Sequence, residues 1–232
     1  MLLCLLAGSL FFVANYHILR TRKLCEKAYK LCLHGEFSDA SFVLKKAVQI
    51  SYKRGRILSL YGDIFYSHFK NIENPTLNEI YSLSMSINLY EEAIVTYPSP
   101  FIFENLGNAY AYMALPQVWN ITTNLSLYKT KDKVDLLQSA ILYWKKASYI
   151  LPWRLTPKYY LADLFYQLGN TNKAIKYARL VVNTPMKKWT ERGKEFKLKS
   201  QKMLIALGEE CDDPGLVVFD INEKKTWNEG LW

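Results

Sequence analysis

The side chains that could carry chemistry are few and far apart. The four cysteines, Cys4, Cys25, Cys32 and Cys211, contain no CxxC pair and no framework of close spacings, so neither a zinc site nor a disulfide scaffold is expected. Cys25 and Cys32 fall on one helix face two turns apart, too distant to bridge, and packing is their expected role. Three histidines give little ground for metal chemistry. His34 and His68 have no Ser, Cys or carboxylate motif around them that would recommend a nucleophile or base role. No catalytic constellation, cofactor or metal is therefore expected, and what remains is binding chemistry. Asp63, Asn108 and Asp163 recur in matching contexts, with Tyr66, Tyr112 and Tyr166 about one turn further along the same helix face. Short polar acceptors beside aromatic plates can hold an extended peptide or a partner's helix, the acceptors bonding main-chain groups and tyrosine adding contact area at low entropic cost. The competing reading is that the same six side chains satisfy neighbouring helices and water.

Those residues sit in a repeat. The segments LYGDIFY at 60–66, NLGNAYAY at 105–112 and YLADLFYQLGN at 160–170 share an apolar residue, then Gly or Ala, then Asp or Asn, then an aromatic. Each is followed by a second helical segment: LYEEAIVTYP at 89–98, LYWKKASYILP at 142–152 and KAIKYARLVVNTP at 173–185. A degenerate earlier copy is GEFSDASFVLKKAVQI at 35–50. Small residues at Gly62, Gly107 and Ala162 allow close approach of the paired helices. Ala40, Ala47, Ala93, Ala140, Ala147 and Ala174 do the same from the second helix. Pro98, Pro152 and Pro185 end the second helices, since proline cannot continue the hydrogen-bond ladder. Insertions are expected at 69–77 and at 116–133.

Half of the 232 residues are hydrophobic, 22% are charged, and only ten are Gly and eight Pro, which excludes a disordered or low-complexity chain. Every formal charge lies at Arg20 or later. The apolar stretch 2–19 would rise roughly 27 Å as a helix, enough for a bilayer core. A cleaved secretory signal is the rival reading, opposed by the lack of Lys or Arg ahead of the run and of a small-x-small site behind it. Arg20, Arg22, Lys23, Lys27 and Lys30 against the single acid Glu26 place that flank, and so the body, in the cytoplasm by the positive-inside rule.

The repeat pattern resembles the tetratricopeptide repeat from about residue 24 to Pro185. Taken with the apolar run and the acidic composition of the last residues, the resemblance gives an expected all-α chain: a transmembrane helix at 1–19, an α-solenoid of about four hairpins with a capping helix at 20–207, and an acidic tail at 208–232. It also implies that the six Asp, Asn and Tyr positions line a concave groove. A narrower resemblance is to the C-terminal region of bacterial O-antigen ligase or polymerase family proteins. It is carried by the NYHIL end of the apolar run with its basic flank, the YGD at 61–63, KKASYILPWRLTPKYYLADLFYQLGN at 145–170 and NTPMKKWTERGKEFKLK at 183–199. Those proteins are glycosyl-polymer transferases whose reacting groups lie in regions without a counterpart here, so the resemblance implies an accessory role in surface polysaccharide assembly and lends no catalytic residue.

Two charge blocks close the chain. Lys187, Lys188, Arg192, Lys194, Lys197, Lys199 and Lys202 face only Glu191 and Glu195. Such a face could meet anionic lipid headgroups, with a solvated helix face as the plainer alternative; no module for reading nucleic acid accompanies it. The acidic tail beyond, with its short β-like run at 216–221, is expected to fold loosely onto that helix and mask it. Asn120 and Asn124 match the N-glycosylation acceptor pattern in a loop, a pattern that chance also produces. The expectation overall is a non-enzymatic protein-docking scaffold, single-pass in a bacterial plasma membrane.

Overall fold

The helical period of the sequence becomes nine α-helices among the described residues, with no strand among them. The structure, a computed structural model, describes residues 2–34, 36–51, 54–70, 75–115, 118, 132–186 and 190–209, without the side chains of residues 2–15, Cys32, Leu33, Phe37, His68 and Lys70. The chain divides into two compact units, Met1–Ala140 and Ile141–Trp232.

In the first unit α1 (Leu2–Leu33) and α2 (Phe37–Ile50) form a hairpin. Ala28 on one helix and Ala40 and Ala47 on the other are fully buried, and with Val43, Leu44 and Ile57 they make a small core. Alanine at these positions removes the bulk that would hold two backbones apart. The apolar run at 2–19 and the first residues of the helical body lie on one helix, since α1 continues unbroken to Leu33. The change from apolar to basic composition leaves the helix propensity high, so nothing interrupts the backbone ladder.

Helices α3 (Arg54–Lys70), α4 (Leu77–Thr96) and α5 (Pro100–Met113) pack together around Leu83, Ile87, Tyr90, Leu106 and Tyr110, each no more than 1% exposed. Large side chains buried to this extent stabilise the fold by about 1.5–3 kcal/mol each. The α3–α4 crossing depends on two glycines. A Cβ at Gly55 would lie 2.9 Å from the Ala93 carbonyl oxygen, and one at Gly62 would lie 2.8 Å from the Tyr90 ring. Only a hydrogen at those positions leaves room for the partner helix. At the start of α4 the Thr76 backbone N–H donates to Glu79 Oε2 at 2.7 Å, the reciprocal half of a capping box. Pro98 follows the end of α4, and Pro100 opens α5 at a position where its missing N–H costs nothing.

The unit boundary falls within α6 (Lys133–Ile150), where Ala140 and Ala147 are fully buried. In the second unit α7 (Leu155–Gln167) and α8 (Thr171–Asn183) form a hairpin, and α9 (Glu191–Ala206) packs on both. The α7–α8 turn is tight because Gly169 takes φ +68°, which lets the Asn170 N–H reach the Phe165 carbonyl at 2.9 Å. Asn170 then caps α8 through its Oδ1, which accepts from the Lys173 N–H at 3.2 Å. Lys158, only 7% exposed, donates to the Pro152 carbonyl and to Thr184 Oγ1, the latter at 2.6 Å. It thereby ties the turn before α7 to the end of α8.

Several sequence expectations meet the structure directly. The second helices end just before Pro98, Pro152 and Pro185. All six alanines assigned to interhelical contacts are fully buried. Helix α3 ends at Lys70 and α4 begins at Leu77, and α5 ends at Met113, while most of the two expected insertions lies outside the described residues. The capping helix starts at Glu191 rather than at Lys187, where the Thr190 Oγ1 accepts the Gly193 N–H at 3.1 Å and sets the first turn. Lys187, Lys188, the Asn120 and Asn124 acceptor patterns, and the tail beyond Glu209 lie outside the described residues. Among the described residues no helix is long and apolar enough to cross a membrane. The apolar run at 2–19 lies largely on α1 side chains outside that description.

Candidate functional site

The first-unit members of the Asp, Asn and Tyr set are Asp63, Tyr66, Asn108 and Tyr112. Asp63 is on α3, next to the Gly62 notch. Its Oδ1 accepts from Tyr90 Oη on α4 at 2.6 Å and from Asn105 Nδ2 on α5 at 2.9 Å. One carboxylate oxygen therefore ties three helices. Burial pushes the Asp63 carboxyl above the usual range, and the bonds from Tyr90 and Asn105 only partly offset this. The Tyr90 phenol is pushed well up, by burial first and then by the Asp63 charge beside it. Tyr66 is 8% exposed, with its ring centroid 6.1 Å from that of half-buried Tyr112, which also meets Phe69 edge-on at 5.7 Å. The structure thus brings Tyr66 and Tyr112 into one aromatic cluster and makes Asp63 an internal acceptor. Asn108, half-buried, follows the buried Gly107 on α5.

Asp163 and Tyr166 belong to the second unit. Asp163 is half-buried and accepts from Gln167 Nε2 at 2.8 Å. Burial raises its carboxyl above the ordinary value, opposed by the Gln167 bond and by the Lys199 charge. Tyr166 is 44% exposed, the most open of the three repeat tyrosines. On α9 much of the basic character is already engaged. Lys194 pairs with Glu191 at 2.9 Å and Lys199 with Glu195 at 2.6 Å. Lys197 donates to the Val182 carbonyl at 2.7 Å, which caps an otherwise open carbonyl near the end of α8. Glu209, the first acid of the C-terminal block, bonds Arg179 on α8.

Beside α9 lies a cavity of about 370 Å³, lined in part by Trp153, Arg154, Leu155, Thr190, Arg192 and Phe196. Arg192 Nη2 donates to Tyr160 Oη at 3.0 Å, and its guanidinium stands over the Phe196 ring at 5.3 Å. Phe196 in turn stacks on Tyr159 at 4.5 Å between centroids. Sequence reasoning quotes this Pro-Trp-Arg stretch as a family-like phrase but assigns it no site. The available signal is an aromatic and a cation directly after a helix-ending proline, on a turn facing the first turn of the next packed helix.

Cys25 is half-buried against the α1–α2 core, and burial raises its thiol above the ordinary value. No group of three or more His, Cys, Asp or Glu suited to a metal occurs among the described residues. No protein-family model matches the chain, and no curated protein matches it.

Proposed function

We propose that this chain is a non-catalytic docking module: tetratricopeptide-like helix hairpins presenting side chains to a protein or peptide partner at a membrane. In this reading residues 2–19 form a single-pass anchor in a bacterial plasma membrane, with the helical body on the cytoplasmic side. The observation that carries the reading is a register repeated three times. Gly62, Gly107 and Ala162 are buried, and Asp63, Asn108 and Asp163, each next in sequence, are half-buried. A small residue that admits a neighbouring helix, followed by a short polar side chain at the rim of that contact, is how a helical repeat can reuse one surface along its length. Tyr166 is exposed and Tyr112 half-buried, and these are the tyrosines of that register offered to a partner, while buried Tyr66 packs beside Tyr112 within the first unit. The membrane assignment is supported by the uncharged run and its basic flank.

A photo-crosslinking amino acid placed singly at Tyr112 and at Tyr166, in the full chain in native membranes, tests this. A discrete adduct from both positions, missing when the same probe replaces the exposed Val95 on α4, is expected. Equal labelling at Val95, or no adduct at the tyrosines, would remove the docking assignment.

The second reading is an accessory part of an O-antigen ligase or polymerase assembly. It is favoured by one observation: segments 145–170 and 183–199, which carry that resemblance, both contribute residues to the cavity beside α9. A crosslinked adduct that proves to be a polytopic membrane protein would favour this reading over a soluble partner.

A further inference from the structure

We propose that the outer faces of α8 and α9 are the docking surface for the chain's own acidic segment, residues 210–232. The inference is independent of the partner-docking reading above, since it uses none of the six Asp, Asn and Tyr positions.

The two helices pack on each other, and their outward residues mix apolar and basic side chains. Leu198, Lys202 and Ile205 recur at i, i+4 and i+7 and so share one face of α9, while Lys176 and Leu180 share one face of α8. Leu180, Leu198 and Ile205 are 41%, 52% and 64% exposed, which leaves an aliphatic surface open on both helices. Lys176 and Lys202 are exposed, and neither makes an ion pair among the described residues. A surface of this composition fits a segment that is both acidic and apolar, the carboxylates meeting the ammonium groups and the aliphatic side chains covering one another.

Residues 210–232 have that chemistry. Six acids, among them Asp212, Asp213 and Asp220, oppose only Lys224 and Lys225, and the apolar run at 216–219 stands between them. The described chain is already directed toward the surface. Gly208 takes φ +78°, and the N–H groups of Gly208 and Glu209 donate back to the carbonyls of Ile205 and Leu204, each at 3.0 Å. This closes α9 with a turn that carries the chain off the helix axis. Glu209 then bonds Arg179 on α8, so the first acid of the block already meets a cation of the proposed surface. Reach is ample: the 16 residues of α9 cover about 24 Å, whereas residues 210–232, extended, span up to about 75 Å. Tethering sets the local concentration of the segment on the order of millimolar, so modest contacts suffice for occupancy. A free acidic peptide or a lipid headgroup lacks that advantage.

The test uses the full chain in a neutral detergent at low salt, prepared as a mixture of heavy-isotope and unlabelled protein. A carbodiimide joins carboxylates to the lysines they touch, and mass spectrometry reads the pairs. Links from Asp212, Asp213 or Asp220 to Lys176 and Lys202 within one chain are expected, in excess of any to Lys145, an exposed cation on α6. Acetylation gives the second readout. In the full chain carrying D212N, D213N and D220N, Lys176 and Lys202 should acetylate about three- to tenfold faster than in wild type, the combined size of a few exposed ion pairs. Lys145 should acetylate at the same rate in both, which separates release of the segment from a loss of folding. The proposal is overturned if the links join heavy to light chains, which would give the surface to a second copy, if Lys145 is linked as often, or if the acetylation of Lys176 and Lys202 does not change. Shielding of those two lysines only after phosphatidylglycerol is added would give the surface to anionic lipid and likewise overturn it.

Discussion

Asp63 occupies a place where a carboxylate is costly to keep charged. Its folded-state value is raised by burial despite bonds from Tyr90 and Asn105. The folded chain therefore binds the proton more readily than the unfolded chain does. The stabilising contribution of protonation is fully present below the ordinary carboxylate value and is lost as pH rises through the folded-state value. Replacing Asp63 by Asn keeps an acceptor oxygen for both donors and removes the buried charge. D63N should therefore be at least as stable as wild type at neutral pH, with less loss of stability as pH rises above the ordinary carboxylate value. D63A strands two donors and should cost about 1–3 kcal/mol. Urea unfolding across that pH range checks both; a D63N protein as unstable as D63A would show that the charge itself holds the helices. The position of Asp63 in the repeat was legible from its neighbours Gly62 and Tyr66. Its role as a clasp was not, because Tyr90 and Asn105 stand 27 and 42 residues further along, and no local spacing encodes a partner reached across two helix turns-back.

Among the elements, boundaries set by backbone chemistry were the most readable. Pro98, Pro152 and Pro185 stop helices wherever they occur, and buried alanines mark contact faces by their period. The continuity of α1 was not readable, since hydropathy changes at Arg20 while helix propensity does not. Nor was the brace made by Lys158, which looks like an ordinary surface cation in the sequence. Its ammonium lies within the turn between α6 and α7, bonded to the Pro152 carbonyl and to Thr184 on the far side of the α7–α8 hairpin. Burial holds it below the usual lysine value. K158M retains the stem but leaves both acceptors without that donor, and should destabilise the chain by about 1–3 kcal/mol. Amide exchange should then speed up around residues 152–158 and 184 while the α3–α4 crossing keeps its protection. Unchanged exchange at those residues would mean that the brace contributes nothing.

At the scale of the molecule, the all-α class follows from the period of the apolar residues. The tetratricopeptide-like reading follows from where the small ones fall. That logic reaches Gly62, Gly107 and Ala162 from sequence, and each is buried. It did not reach the cavity beside α9, because Arg154 and Arg192 approach it from segments separated by a whole hairpin and share no repeat register. The proposed docking role depends on hairpins that meet at glycine and alanine notches. The sign of a single substitution tests that dependence. At an open helix position, Gly→Ala stabilises by about 0.5–1 kcal/mol. At a notch the added methyl has to displace a partner. At Gly62 that partner is the Tyr90 ring, which its hydroxyl bond to Asp63 holds in place. The overpacking should cost about 1–3 kcal/mol and reverse the sign. The decisive measurement is the urea midpoint of G62A in the full chain in mild detergent. A midpoint below wild type is the predicted result, and a midpoint above it would contradict the notch and the repeat architecture built on it.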